Sequence, residues 1–285
     1  MHHLPISRVS VLGAGQMGTG IAIVSAKAAC KVVLADAYVP SLEKSKQFVH
    51  SWAEKEVTKG RLQDKDRFLE RLQWVNISDP RAFEGQELVI EAVPEVFDLK
   101  ANLLKHADEA APKSAIIATN TSSISITKLA AVTQRPEQVI GLHFMNPVPV
   151  MTLVEVIKGL TTSDSVLERS IGFCKQIGKD PAVAVDRPGF VANRLLMPYL
   201  NEAIFALQEG VATREDIDKI MKLGTNVPMG PLALADFIGL DTCLSTIRVL
   251  HDQFGDSKYR PATLLIQMVD SGRLGRKVGR GFYDY

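Results

Sequence analysis

The sequence predicts an α/β fold: a Rossmann-type, doubly wound, mainly parallel sheet followed by a second, all-α domain at the C-terminus. Three observations predict it. Short, almost uninterrupted apolar runs alternate with longer amphipathic stretches through the first half. A glycine-rich turn joins the first apolar run to the first amphipathic stretch. Beyond "DRPGF" (186–190) nearly everything has helical periodicity.

In chain order, "RVSVLG" (8–13), "VVLAD" (32–36), "LVIEAV" (88–93), "AIIATN" (115–120) and "VIGLHF" (139–144) read as strands, and "LVEVI" (153–157) as a further buried one. Near-continuous apolar character suits parallel strands covered on both faces. Between them lie helical patterns over 16–29, 41–59, 64–72 and 98–110. Pro188 and Gly189 then signal a turn, which places the domains at 1–187 and 188–285. In the second, "FVANRLLMPYLNEAIFALQEG" stops at Gly210. "TREDIDKIMKLG" opens on Thr213 with Asp216 three residues on, a variant of the capping box. Further helices are expected over 231–251 and 261–271.

The 285 residues are 46% hydrophobic and 23% charged, enough apolar material for two domain cores. A formal net charge of +1 without long runs of like charge argues against a nucleic-acid partner, and no apolar stretch is long enough to span a bilayer. Cys30, Cys174 and Cys243 are far apart and form neither a metal pattern nor a disulfide framework. No metal is expected, and a reducing, cytoplasmic compartment is. "MHHLPIS" enters a strand almost at once, leaving no room for a signal or transit peptide. His2-His3 reads as a tail or tag remnant rather than a metal site.

"VSVLGAGQMGTG" places Gly13, Gly15, Gln16, Met17 and Gly18 directly between a strand and a helix. Gly13 permits the tight turn, Gly15 lets a pyrophosphate approach the backbone, and Gly18 lets helix and strand pack closely. Such a motif alone is weak. Here Asp36 ends the next strand, where a carboxylate accepts from adenosine ribose hydroxyls and repels a 2′-phosphate. Ala37 supplies no cation to reverse that preference, so the cofactor expected is NAD.

Two polar residues in "GLHFMNPVPVMTLVEV" (141–156) conflict with simple packing. His143 ends an apolar strand, and Glu155 sits in the middle of another, where an ionised carboxylate costs several kcal/mol unless paired. Strand periodicity puts Glu155 with Leu153 and Ile157 on one face, so its partner must lie across a strand; His143 is the nearest candidate. Singly, they could be a core histidine and an edge carboxylate facing water. As a pair they suit oxidation of a secondary alcohol, with an imidazole taking the hydroxyl proton and a carboxylate fixing its tautomer.

With this fold in hand, "NTSSISI" (120–126), "GLHFMNPVPVMTLVEVI" (141–157), "DRPGFVANRLL" (186–196), "MGPLALADFIGLD" (229–241) and "GRGFYDY" (279–285) fall in order. Over essentially the whole chain the sequence resembles the L-3-hydroxyacyl-CoA dehydrogenases, the short-chain 3-hydroxybutyryl-CoA enzymes in particular. The resemblance implies reversible hydride transfer between NAD and C3 of a 3-hydroxyacyl-CoA. It makes His143 the base, Glu155 the carboxylate that orients it, and Ser122 and Asn193 the groups that hydrogen-bond the reacting oxygen or the imidazole. It also places Glu95, Lys100, Asn120 and Lys277 at positions that contact NAD. The helix 41–59 falls near the coenzyme A moiety, with Lys59 as a phosphate contact. The implied site lies in the cleft between the two domains.

These residues have ordinary alternatives. Ser122 could cap the helix of "ISITKLA", although Ser123 stands closer and is the better cap. Asn193 could be an exposed helix residue, and Glu95 and Lys100 solvated charges at a helix start. Two departures from the family pattern are visible: Ala29-Cys30-Lys31 stands where a Gly-His turn is usual, and Ala37 where a polar residue is common. Neither touches the chemistry. A non-catalytic NAD-binding protein would need the glycine loop and Asp36 but not His143, Glu155, Ser122 and Asn193 together. A dehydrogenase of free hydroxy or sugar acids would act without the coenzyme A moiety. A homodimer is expected through the thin helical domain, in line with the resemblance.

Overall fold

Strand β1 (Arg8–Leu12) has four buried residues in five, and its neighbours on both sides run parallel to it. The structure, a computed structural model, describes residues 4–285; His2-His3 lie outside the described residues. The chain continues through α1 (Gln16–Lys27), β2 (Lys31–Asp36), α2 (Val39–Thr58), α3 (Lys65–Leu69), β3 (Leu72–Asn76), β4 (Leu88–Glu91), α4 (Phe97–Ala110), β5 (Ile116–Thr119), α5 (Ile126–Ala130), β6 (Val139–Phe144), β7 (Leu153–Lys158), α6 (Asp164–Gln176) and β8 (Asp180–Val185). The sheet order is β3-β2-β1-β4-β5-β6-β7-β8. From β3 to β6 all pairs are parallel in the 3-2-1-4-5-6 order of dinucleotide-binding folds. The chain then reverses: β7 is antiparallel to β6, and β8 parallel to β7.

The first unit's core lies between this sheet and its helices. Val11, Leu34, Ile90, Ile116 and Leu142 are fully enclosed, against Ile21, Ile23 and Val49 from α1 and α2. Each such side chain contributes roughly 1.5–3 kcal/mol by leaving water. Gly18 shows how tightly α1 meets the sheet: a Cβ there would lie 1.8 Å from the Gly13 carbonyl oxygen.

Two compact units divide the chain at Asp186–Arg187. The second consists of α7 (Ala192–Gln208), α8 (Arg214–Thr225), α9 (Pro231–Ile238), α10 (Leu240–Phe254) and α11 (Thr263–Asp270). Its core gathers Leu200, Ile204, Leu232, Leu240, Ile247 and Leu265. Thr213 caps α8 by accepting from the Asp216 N–H, and Gly210 adopts a positive φ of 71° just past the end of α7. Two buried carboxylates pin the tail. Asp236 accepts from the Phe282 and Tyr283 amides, and Asp218 from the Leu232 and Ala233 amides and the Tyr283 hydroxyl.

Three sequence expectations need correction. The helix over 64–72 is only five residues long, because Leu72–Asn76 pairs with β2 as an edge strand. The run 231–251 is two helices, broken where Gly239 takes a φ of 104°. Residues 180–185, for which the sequence predicts no element, form β8.

Candidate active site

The glycine loop emerges from β1 and is held by Asp36 at the end of β2. One Asp36 oxygen accepts from the Ala14 N–H at 2.7 Å and the other from the Tyr38 N–H at 2.8 Å. Gly13 has a φ of 111°, and a Cβ there would collide with the Ala92 carbonyl. At Gly15 a Cβ would meet nothing within 4 Å, so the backbone is open to approach at that point. Among the described residues no side chain caps α1, and no acidic residue sits in its first turn. An uncapped helix N-terminus beside an open glycine suits a pyrophosphate, and the fixed carboxylate at the next strand end suits a ribose. Met17 packs against the core, while the Gln16 amide donates to Asn146 Oδ1 at 3.0 Å.

β6 and β7 place the two anomalous polar residues directly opposite each other. His143 pairs with Glu155 in the antiparallel register, and His143 Nδ1 lies 2.7 Å from Glu155 Oε2. Both are buried, His143 at 9% exposure and Glu155 at 4%. Because β8 covers the outer side of β7, Glu155 is not the edge carboxylate it could have been. With ionised Glu155 able only to accept, Nδ1 is the protonated nitrogen of this pair.

Beside them, the loop after β5 wraps around Glu95. One Glu95 oxygen accepts from the Ser122 N–H at 3.0 Å, the Ser123 N–H at 3.0 Å and the hydroxyls of Thr121, Ser122 and Ser123. Its other oxygen lies 3.1 Å from Lys100 Nζ. Lys100 is only 1% exposed and also pairs with Glu91, so it is no solvated charge. Burial pushes the Glu95 carboxyl up, but Lys100, Thr121 and Ser123 outweigh it and hold it below the ordinary range. At Glu91 burial prevails and raises the carboxyl, against Lys100, Thr119 and the Val93 amide. Ser123 does not cap α5: the cap is Ser125, which accepts from the Lys128 N–H, because Ser122 and Ser123 are turned to Glu95.

The remaining expected residues are more dispersed. Asn120 accepts from the Phe144 N–H at 2.9 Å, tying the end of β5 to the end of β6 next to His143. Lys59 stands at the far end of α2, 3.5 Å from Glu56. In the second unit Asn193 lies half-buried in the first turn of α7. Lys277 there contacts both oxygens of Asp241 at 2.6 Å. Sequence reasoning passed over Glu91, although a carboxylate at the end of "LVIE" is the same anomaly that exposed Glu155.

Comparison with known proteins follows the same division of the chain. The family described as "3-hydroxyacyl-CoA dehydrogenase, NAD binding domain" matches residues 8–187, and "3-hydroxyacyl-CoA dehydrogenase, C-terminal domain" matches 189–285. The chain is 48% identical over 282 residues to a 3-hydroxybutyryl-CoA dehydrogenase of Bradyrhizobium diazoefficiens, covering 98% of this chain and 96% of that one. It is 47% identical to a probable 3-hydroxybutyryl-CoA dehydrogenase of Bacillus subtilis, covering 99% and 98%. Among solved structures, the (S)-3-hydroxybutyryl-CoA dehydrogenase of Ralstonia eutropha superposes with a TM-score of 0.95 at 48% identity, covering 98% of this chain and 99% of that one. Matched along both units and nearly end to end, the chain belongs to the 3-hydroxyacyl-CoA dehydrogenase family of NAD-dependent oxidoreductases.

Proposed function

We propose that the protein interconverts an L-3-hydroxyacyl-CoA and the 3-oxoacyl-CoA, with His143 as general base and Glu155 as the carboxylate that orients it. The observation that carries this reading is the buried 2.7 Å contact between His143 Nδ1 and Glu155 Oε2. With Nδ1–H committed to Glu155, Nε2 accepts the proton of the substrate's C3 hydroxyl, and Glu155 stabilises the resulting imidazolium. Bound NAD supplies the hydride acceptor. Gly15, Gln16 and Met17 would hold the pyrophosphate through their backbone, in a turn shaped by Gly13 and Gly18, and Asp36 would accept from the ribose.

Ser122 is assigned to the reacting oxygen, supported by its place in a loop fixed by Glu95. Asn193 is assigned as a second substrate contact and Lys59 as a coenzyme A phosphate contact, on family membership. Glu95, Lys100, Asn120 and Lys277 are assigned to the cofactor side on the same ground; burial makes the contribution of Lys100 indirect. Residues 188–285 form the dimerisation domain. Among the described residues no helix is long and apolar enough to cross a membrane. The buried thiols of Cys30, Cys174 and Cys243 support a reducing, cytoplasmic compartment.

Following NADH absorbance with acetoacetyl-CoA, longer 3-oxoacyl-CoA thioesters and free acetoacetate tests this reading. Turnover of a thioester is expected. Equal turnover of the free acid, or none of any thioester, overturns it.

A further inference from the structure

Glu91 ends β4 at the same edge of the sheet as the glycine loop, yet it is 1% exposed and has no part in the chemistry above. Burying a carboxylate there is costly, and the chain surrounds it with donors. Its Oε1 accepts from the Val93 N–H at 2.7 Å and from Lys100 Nζ at 2.8 Å. Its Oε2 accepts from the Thr119 hydroxyl at 2.6 Å and from Lys100 Nζ at 3.1 Å.

Lys100 is fixed in turn. An ammonium has three N–H donors, and its acceptors here are Glu91, the Val93 carbonyl at 3.1 Å and Glu95 at 3.1 Å. That leaves Glu95 divided, one oxygen on Lys100 and the other on the amides and hydroxyls of residues 121–123. The chain Glu91–Lys100–Glu95–Ser122 thus runs without a gap from the buried end of β4 to a proposed substrate contact. A purely structural staple between β4 and β5 would need no second carboxylate, since apolar residues of like volume often hold such a position at least as well.

We propose that Glu91 is a positioning residue for Ser122, acting through Lys100 and Glu95 to set the direction of the Ser122 hydroxyl in the reaction. This rests on the reading of Ser122 as a contact to the reacting oxygen. Without the Glu91 charge, Lys100 keeps the Val93 carbonyl and Glu95, and the carboxylate that holds the 121–123 loop shifts with it.

The test is a double-mutant cycle on Glu91→Gln and Ser122→Ala, reading kcat and KM for acetoacetyl-CoA reduction by NADH. Glu91→Gln is expected to lower kcat about tenfold with little change in KM for acetoacetyl-CoA, the scale of a small misplacement of a reacting group. In the Ser122→Ala background it should add less than about a twofold loss. A protein with the E91Q change that fails to fold, judged by circular dichroism, is replaced by Glu91→Asp, which keeps the charge and shortens its reach; the same two outcomes apply to it. If Ser122→Ala loses activity while the Glu91 variant keeps wild-type kcat, the proposal falls alone. Losses that multiply in the double variant overturn it as well. Full activity of Ser122→Ala overturns the reading of Ser122, and this proposal with it.

Discussion

Replacing Glu155 with Gln tests the dyad most directly, because the change keeps the shape and removes one charge. The carboxylate accepts from His143 Nδ1 at 2.7 Å and is 4% exposed, so solvent screens the pair little. A hydrogen bond to a charged group is worth roughly 1.5–3 kcal/mol and a neutral one roughly 0.5–1.5. The difference, about 1.4 kcal/mol, is expressed when the imidazolium forms, and corresponds to about a tenfold loss in kcat. His143→Gln removes the proton acceptor and should cost about a hundredfold or more. Stopped-flow kinetics with 3-hydroxybutyryl-CoA and NAD, together with NADH titration by fluorescence, separate chemistry from cofactor binding. NADH affinity should survive both changes. On the proposed reading the carboxylate acts through the imidazole, so the double variant should be little worse than His143→Gln alone. Fully additive losses would show that Glu155 acts independently and would refute the dyad.

Cofactor choice should follow Asp36, whose oxygens are fixed by the Ala14 and Tyr38 amides against any added 2′-phosphate. NADH should be preferred over NADPH by about a hundredfold in kcat/KM, and Asp36→Asn with Ala37→Arg should narrow the gap; equal specificity constants in the unmodified protein would refute this. Ala29 takes a left-handed φ of 68° on an exposed turn. That conformation costs a non-glycine residue about 1–2 kcal/mol, part of which glycine returns as chain entropy, so Ala29→Gly should stabilise by about 0.5–1 kcal/mol; a lower urea midpoint at unchanged slope would contradict it. The second unit leaves Leu195, Ile220, Leu223 and Phe237 exposed, which supports a homodimer formed through it. Light scattering at micromolar concentration should give twice the chain mass, and a monomer would end that expectation.

How much of this was legible in the sequence depended on which signal each residue left. The inner strands announce themselves because both faces are covered: all of β6 is buried, and its sequence is apolar almost throughout. Edge strands do not. β3 mixes Gln73 and Asn76 with Leu72 and Val75, and β8 is exposed along most of its length, so neither gives a continuous run. The single Gly239 in an apolar helical stretch looked tolerable, and only its positive φ shows that the helix ends there. At the site, His143 and Glu155 could be paired from periodicity and strand order alone. The Ser122–Ser125 region could not be resolved that way, since Ser122, Ser123 and Ser125 can each cap a helix and only the position of Glu95 decides which of them are already engaged.

The reversal of direction between β6 and β7 gives the His143–Glu155 contact an unusual kind of robustness. Its geometry is written in main-chain pairing, with β8 locking the far side of β7, rather than in the reach of flexible side chains. Within residues 145–152, which join the two strands, exposed Val150 can therefore vary without disturbing the contact, while Asn146 and Val148 stay tied to the glycine loop and the core. A slip of one residue between the strands is a different event: it would turn Glu155 to the opposite face of the sheet and bring Val154 or Val156 opposite His143. The dyad is therefore close to digital, indifferent to the exposed tip of the connection and lost at a single step in register.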